Sequence, residues 1–569
     1  MYILGLNAFH ADAAAVLIKD GVLLEGIEEE RLSRKKHHFG FPFQSIEHCL
    51  SSNNLKASDI DIVSISTKPS ANLKSKIIYS LLNPSITRIT GFLSRRKRKL
   101  NIRDILIENG FSKKVKVEFK EHHLCHIFSG MAGFKDSAAI LTVDGFGDFL
   151  SAKSGFINKN KIFSELFSVP YPHSLGIFYQ SMTQFLGFKR YGDEYKIMGL
   201  APYGVPKYYS QLSKLIKLTN DGFRLDLKYF VHHKKNVERV DDFIPVYEDL
   251  FSNLLESEFP NIIRDGKGTH QTSMDFAASV QKVYESTFVH LLELLKKKYP
   301  DEANLILAGG CANNSVANGK IKQLGFYKNV FVPASAGDAG CAIGAGILSS
   351  TDSLDLNSFY TPYLANTLNE DELLEIIKIS NDKNYIIHKV EDPEKKLAEM
   401  IYGGFVVGRC VGKMEWGPRA LGNRSILGNP SDPKIREKIN AKIKFRELFR
   451  PFAPSFLRKE VNNWLEVDDN VPYMMKVYKV KHDKRDLIGA VTHVDGTARV
   501  QTVTESSNKR YHKLIQHFYK LNGTPCVLNT SLNENEPIVA SYKQAFAVFE
   551  RTDMDAIQLD NIIIARYDI

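Results

Sequence analysis

Two stretches of this chain carry the same order of short strands and tight turns, and that repetition narrows the folds open to it. "YILGLN", "AAAVLIKDG" and "VLLEGIEEE" read as three strands within the opening segment, with Asp20-Gly21 as a two-residue hairpin turn. From residue 137, "SAAILTVDGFGDFLSAKSGFINKNKIFSELFSV" repeats strand, Asp-Gly-rich turn, strand, Asn/Lys turn, strand. Between the two, "FPFQSIEHCLSSN" predicts a helix and "DIDIVSIST" a buried strand.

A repeated unit of this kind predicts a duplicated α/β fold, and the actin-like ATPase architecture is built so, from two βββαβα halves with a nucleotide cleft between their turns. Two further strands end in Gly-rich turns. "NLILAGGCANNSVANGKI" carries Gly309, Gly310 and Asn313, and "NVFVPASAGDAGCAIGAGIL" carries Asp338. Glycine lets a backbone approach a ligand closely, and a following helix N-terminus favours phosphate, so Gly309, Gly310 and Asn313 are expected at a nucleotide.

A chain of 569 residues is too long for one core. Its 43% hydrophobic and 25% charged content is that of an ordinary globular protein, and its net charge of +10 favours anionic ligands. Six cysteines without a CxxC pair fit reduced thiols better than a disulfide framework. Met1 runs into "YILGLN" with no basic region or cleavage site, and no long apolar run occurs, so a cytoplasmic protein without a membrane partner is expected. Walker A, kinase, GxSxG and CxxC zinc patterns are all absent, which removes several common enzyme classes.

"EHHLCHIFSG" places His122 and His126 four apart, on one face of a helix, with His123 turned away. Asp144 and Asp338 each follow a strand, at the end where α/β folds place ligands. Two histidines with two carboxylates would suit Fe(II), Zn(II) or Mn(II); the same histidines could equally form hydrogen bonds within a cleft. His10, in the turn after the first strand, reads either as a general base or as a satisfied turn residue. The densest polar stretch runs from 408 to 456, where Arg419, Arg424, Lys444, Arg446 and Arg450 stand among Gly and Pro turns. Converging guanidinium forks suggest a phosphate or acyl-phosphate site. Arg499 follows in "THVDGTARVQTV", and Asn529, Ser531 and Asn533 end the strand of "PCVLNTSLNENEPIV".

Together "PHSLGIFYQSMTQFLGF", "EYKIMGLAPYG", "MEWGPRALGNRSIL", "KFRELFRPFAPSF", "THVDGTARVQTV" and "LNTSLNENEPIV" resemble the NodU/CmcH family of O-carbamoyltransferases over nearly the whole chain. The resemblance implies an actin-like ATPase-fold domain at 1–355 and a YrdC-like twisted-sheet domain at 356–569; between them, "STDSLDLNSFYTPYLANTLNEDELLE" reads as a linker or domain entry, giving a linker at about 351–400. The resemblance also implies ATP (with Mg) and carbamoyl phosphate as co-substrates. A carbamoyl-adenylate would form in the C-terminal domain, and the carbamoyl group would pass to a small-molecule hydroxyl in the N-terminal one. By motif, His122, His126, Asp144 and Asp338 match a metal site for Fe(II) or a similar divalent ion, and His10 matches the base for the acceptor hydroxyl. Lys444 and Arg446 with Ser531 and Asn533 resemble the Lys-x-Arg and Ser-x-Asn signature of the YrdC fold. Arg419, Arg424, Arg450 and Arg499 match phosphate binders, with Asn529 beside them. The turn after Asp144 departs from the family in carrying Asp148 where members often have Glu.

Two other readings compete. A tRNA-modifying carbamoyl transferase is favoured only by the charge and the basic run "SRRKRK" at 94–99, which otherwise reads as a solvated loop, so no nucleic-acid partner is expected. A non-catalytic actin-like module leaves the arginine-rich and "NTSLN" motifs without a use. The acceptor and the oligomeric state, including a homo-oligomer, are left open by the sequence.

Overall fold

In the computed structural model, β1 (Tyr2–Asn7), β2 (Ala14–Lys19) and β3 (Val22–Glu28) form an antiparallel meander. The residues described are 1–82, 101–447 and 449–568, so the basic run at 94–99 lies outside them. Asp20 and Gly21 take φ of 48° and 80°, the left-handed pair that matches the twist of a two-residue hairpin. β4 (Ile62–Ile65) runs parallel to β1 and β5 (Lys116–Phe119) parallel to β4, giving the order β3-β2-β1-β4-β5.

The second half repeats that order. β6 (Ala138–Gly147), β7 (Leu150–Ile157) and β8 (Phe163–Pro170) form the meander, and its first hairpin again turns on two left-handed residues, Asp148 and Phe149. β9 (Asn304–Ala308) lies parallel to β6 and β10 (Asn329–Phe331) parallel to β9, in the order β10-β9-β6-β7-β8. The duplication read in the sequence is therefore a duplication of strand order. β1 and β2 read as near-continuous apolar runs because both faces are covered. Leu4, Leu6, Leu17, Val63 and Ile65 fill one core. On the other side, helix α3 (Gly340–Ser349) lies so close that a Cβ on Gly5 would stand 2.2 Å from the Ala342 carbonyl oxygen. The same helix packs on α1 (His122–Ser129), where a Cβ on Gly344 would fall 1.8 Å from the Cys125 carbonyl oxygen. α2 (Gln271–Lys298) is the longest described helix of this unit and none of the described helices is long and apolar enough to cross a membrane.

The chain divides into Met1–Ala317 with Ile321–Tyr360, and Thr361–Ile569 with Asn318–Lys320. The segment 351–400, expected as a linker, is ordered structure. It holds helices Glu370–Asp382 and Pro393–Tyr402 and strand β11 (Ile386–Lys389). Ile376, Leu397 and Ile401 are buried in the second unit's cores, which is why its boundary falls at 360/361 and not further along the chain.

That second unit is built on one mixed sheet. β12 (Val407–Cys410), β13 (Arg424–Gly428), β14 (Ala453–Leu457), β15 (Lys476–Lys479), β16 (Thr497–Val503), β17 (Cys526–Ser531), β18 (Ala556–Leu559) and β19 (Ile562–Ala565) join β11. Their order is β11-β19-β18-β12-β13-β17-β14-β16-β15. Side chains alternate across it: Ile426, Phe456, Val500 and Leu528 pack on one face, while Leu427, Leu457, Val503 and Val527 pack on the other.

Because the α1–α3 contact has no room for a methyl group, Gly344→Ala is expected to destabilise the protein by about 1–3 kcal/mol, read as a lowered thermal midpoint. Gly325→Ala, where no atom lies within 4 Å but φ is +68°, is expected to cost only about 1 kcal/mol of backbone strain.

Candidate functional site

α1 starts at a doubly capped terminus. Glu121 accepts the N–H groups of His123 and Leu124 at 3.2 and 2.8 Å, and Asp148 accepts that of His122 at 3.0 Å. This fixes the helix phase, so His122 and His126 point the same way and their Nε2 atoms stand 3.0 Å apart. Asp144 arrives from β6, at the irregular end of its pairing with β7, and Asp338 from the turn just before α3. His122 Nε2 is 3.4 Å from Asp144 Oδ2 and 3.5 Å from Asp338 Oδ1; His126 Nε2 is 3.8 and 3.6 Å from the same atoms.

Those separations suit a cation. A ligand bond of about 2.1 Å implies ligand–ligand edges of roughly 3.0 Å in an octahedron and 3.4 Å in a tetrahedron. The donor set of two imidazoles and two carboxylates suits a borderline or first-row divalent ion. Cys341 Sγ also lies within 4.8 Å of a ring nitrogen of each histidine, a neighbour the sequence did not single out.

The surroundings aim these ligands. Asp144 Oδ1 accepts the Gly310 N–H at 2.7 Å, which leaves Oδ2 for the histidines. Gly309 must be glycine at φ +89°, since a Cβ would meet the Val143 carbonyl oxygen at 2.2 Å. Asn313 closes the turn by donating to the Gly310 carbonyl at 3.1 Å. Gly309, Gly310 and Asn313 thus sit directly behind Asp144. The His10 ring lies 5.0 Å from that of His122, half-buried at the edge of the cluster. His123 turns away and bonds Thr142 Oγ1 at 2.8 Å; burial, then its two histidine neighbours, push its pKa well below the usual value.

Imidazoles and carboxylates in the cluster stabilise each other's charged forms. Burial acts to lower His122, but hydrogen bonds to Asp144 and Asp338 outweigh it and raise the imidazole well above its usual pKa. For the carboxylates burial acts upward, and their bonds to His122 and His126 outweigh it, so both are depressed.

The second unit gathers another set. Lys444, nearly fully buried, directs Nζ to Asn533 Oδ1 and the Asn533 carbonyl, both at 2.7 Å, and to Ser531 Oγ at 3.2 Å. "KFR" and "SLN" therefore meet in space. Arg446 is oriented by Asn440 Oδ1 at 2.8 Å and by the Phe452 ring, 4.6 Å from its guanidinium carbon. Arg499 is held well below the usual arginine range, first by burial and then by the charges of Arg419, Arg446 and Arg450. Arg450 also pairs with Glu447 at 3.5 Å, and like charges gathered around Arg499 favour an anion there. Arg499 Nε is buried and lacks a hydrogen-bond partner among the described residues.

Arg424 does not join them. Its Nε bonds the Ala540 carbonyl, Nη1 those of Val411 and Asn423, and Nη2 Thr367 Oγ1 and the Gly412 carbonyl. It was expected to bind phosphate; instead, fully buried at the start of β13, it spends its donors on four backbone carbonyls and one threonine hydroxyl and ties strands and loop together.

Comparison with known proteins bears on what these two sites serve. Residues 2–347 match the family described as Carbamoyltransferase N-terminus, and residues 398–566 the one described as Carbamoyltransferase C-terminus. The chain belongs to the carbamoyltransferase family. Among its relatives, nodulation protein NolNO of Sinorhizobium fredii is 36% identical over 98% of this chain and 80% of that protein. An uncharacterized protein of Synechocystis is 35% identical over 99% and 97%. The 3'-hydroxymethylcephem-O-carbamoyltransferase of Streptomyces clavuligerus is 30% identical over 57% and 58%. In this carbamoyltransferase, then, one unit holds a histidine–carboxylate cluster and the other an arginine cluster.

Metal removal and loading test the first cluster. His122→Ala and His126→Ala are each expected to lower divalent-ion affinity by on the order of 100-fold, measured by titration and metal content. Gly147→Ala, whose Cβ would stand 1.8 Å from His122 Cδ2, is expected to weaken it about tenfold by displacing that ring. Protons compete for the raised His122, so affinity should fall as pH is lowered. Unchanged affinity in both histidine variants would remove the metal assignment.

Proposed function

We propose that the chain is an ATP-dependent O-carbamoyltransferase. In this reading the nine-stranded unit is the YrdC-like part, and it makes carbamoyl-adenylate from carbamoyl phosphate and ATP. The balance is explicit: carbamoyl phosphate and water give carbamate and phosphate, and the carbamate oxygen then displaces pyrophosphate from ATP. A small-molecule hydroxyl next attacks the carbamoyl carbon, AMP leaves, and the carbamate ester forms. The name of the cephem relative, which specifies a hydroxymethyl acceptor, supports a hydroxyl acceptor here.

One observation carries the choice of carbamoyl phosphate. Asn529 Nδ2 donates to the Ala420 carbonyl at 3.2 Å, and a carbonyl can only accept, so the amide has one orientation. Nδ2 also reaches Ser455 Oγ at 3.0 Å and Gln501 Oε1 at 3.2 Å. Gln501 is fixed in turn because its Nε2 donates to the Leu421 carbonyl at 3.0 Å, while its Oε1 accepts from Ser455 at 2.6 Å. With every member of this buried row oriented, Asn529 Oδ1 is left with no donor among the described residues. Arg499 lies two residues before Gln501 on the same strand, so an unmet acceptor stands beside a cluster of cations. An acyl phosphate bearing an N–H donor satisfies both, and carbamoyl phosphate is one.

The remaining roles follow from chemistry. Carbamate is a poor electrophile, and joining it to AMP supplies a good leaving group. Arg419, Arg446, Arg450 and Arg499 hold anionic oxygens and offset charge that builds on phosphate. Lys444, presented by Ser531 and Asn533, adds a point charge for the nucleotide. In the first unit His122, His126, Asp144 and Asp338 would hold a divalent ion, which supplies Lewis acidity toward the adenylate phosphate. His10, beside His122, takes the proton of the acceptor hydroxyl.

Wild-type protein given ATP, Mg and carbamoyl phosphate is expected to release pyrophosphate; none at all would sink the reading. Asn529→Ala should cut that release by about 10- to 100-fold through loss of the carbamoyl contact, with the KM for ATP little changed. His10→Asn should leave pyrophosphate release intact and suppress carbamoylation of hydroxyl compounds followed by mass spectrometry. Loss of both activities would remove His10 as the base.

A further inference from the structure

Arg419 reaches its cluster from a loop, residues 416–423, rather than from a strand or helix, yet that loop has almost no freedom. It leaves the short strand Met414–Glu415, which pairs with Tyr363–Ala365, and the Trp416 N–H bonds the Pro362 carbonyl at 2.6 Å. Gly422, at φ +116°, lies so close to the Tyr511 ring that a Cβ would stand 2.3 Å from it. The loop's carbonyls are taken one by one: Ala420 by Asn529, Leu421 by Tyr363 and Gln501, and Gly422 by Arg409.

Its N–H groups converge on one atom. Glu415 Oε1 accepts from Leu421 at 2.8 Å, Asn423 at 2.8 Å and Arg424 at 3.1 Å. Glu415 is 3% exposed, and its Oε2 has no hydrogen-bond partner among the described residues. A buried carboxylate with three donors on one oxygen is a strong local anchor, because removing it leaves three buried N–H groups unmet. What it anchors is the stretch that carries Arg419 and offers the Ala420 carbonyl to Asn529.

We propose that Glu415 is a positioning residue of the anion site: its carboxylate closes the 416–423 loop on itself so that Arg419 and the Asn529 amide meet the phosphate-bearing substrate in fixed geometry. Glu415 does not touch the anion, which its own charge would repel. It acts through Arg419, and a preorganised cation loses less on binding than one on a free loop. This rests on reading the arginine cluster as the carbamoyl phosphate site.

The test is a double-mutant cycle on the full chain, with inorganic phosphate as the probe and calorimetric affinity as the readout. Glu415→Ala is expected to weaken phosphate binding about tenfold, and Glu415→Gln, which keeps one acceptor oxygen, about threefold. In an Arg419→Ala background both losses should largely vanish, since the loop then has no guanidinium to place. A general loss of folding would persist in that background and would not spare one partner. Should Glu415→Ala not fold, the Gln variant completes the cycle. Losses that persist at full size in the Arg419→Ala background, or unchanged binding in both Glu415 variants, overturn the proposal. Absence of phosphate binding in the wild type overturns the anion site itself, an outcome distinct from failure of the coupling alone.

Discussion

Much of the first unit depends on a contact that admits no side chain: Gly344 of α3 against the carbonyl of Cys125 in α1. Because these helices approach at backbone distance, Asp338, at the head of α3, comes within 3.5 Å of His122 in α1. The opposite face of α3 meets β1 through Gly5 with the same economy of space. A small-residue helix in this position does little for burial by itself, yet it sets the distance on which the cluster rests. A methyl group at that interface would separate ligands that need to agree to a few tenths of an ångström.

The two sites solve opposite electrostatic problems. In the first unit, carboxylates and imidazoles gather and stabilise one another through shared protons, a state a divalent ion can replace. In the second, Arg419, Arg446 and Arg450 gather around Arg499, whose pKa is depressed by burial and then by their charges. Rigidity makes the second arrangement tenable. Ser455, Gln501 and Asn529 form an oriented row across neighbouring strands, while Glu415 holds N–H groups of the 416–424 stretch and Arg424 holds carbonyls of Val411, Gly412, Asn423 and Ala540. Buried charges here serve as struts as well as ligand contacts, and a sequence motif does not separate the two uses.

That distinction marks where the residues alone stopped being informative. The i, i+4 spacing of His122 and His126 was legible because helical periodicity follows from local geometry. Asp144 and Asp338 were legible as strand-end carboxylates, though nothing local said that they face the same point. Lys444 and Ser531 are far apart in sequence, and only resemblance paired them. Arg424 looked like its arginine neighbours, but whether a guanidinium finds carbonyls or solvent is decided by the strands around it. Glu415 carried no signal, because a carboxylate's partners here are N–H groups that every residue owns. The segment 351–400 read as a linker, yet its helices bury enough apolar surface to belong to the second unit's core.

By itself, then, the sequence determined the periodic and local features: the duplicated strand order, the left-handed turns at Asp20-Gly21, the histidine pair, and the family to which the motifs point. These depend on interactions between residues near one another in the chain, or on long motifs that carry their own identity. Tertiary structure alone decided which charges converge and which are spent inside the fold. It set Asp144 against the Gly310 amide, turned Arg424 into a strut, and left one oxygen of Asn529 without a donor. The physical reason is that hydrogen-bond satisfaction is counted over the whole packed neighbourhood, and that neighbourhood is assembled from segments far apart in the chain.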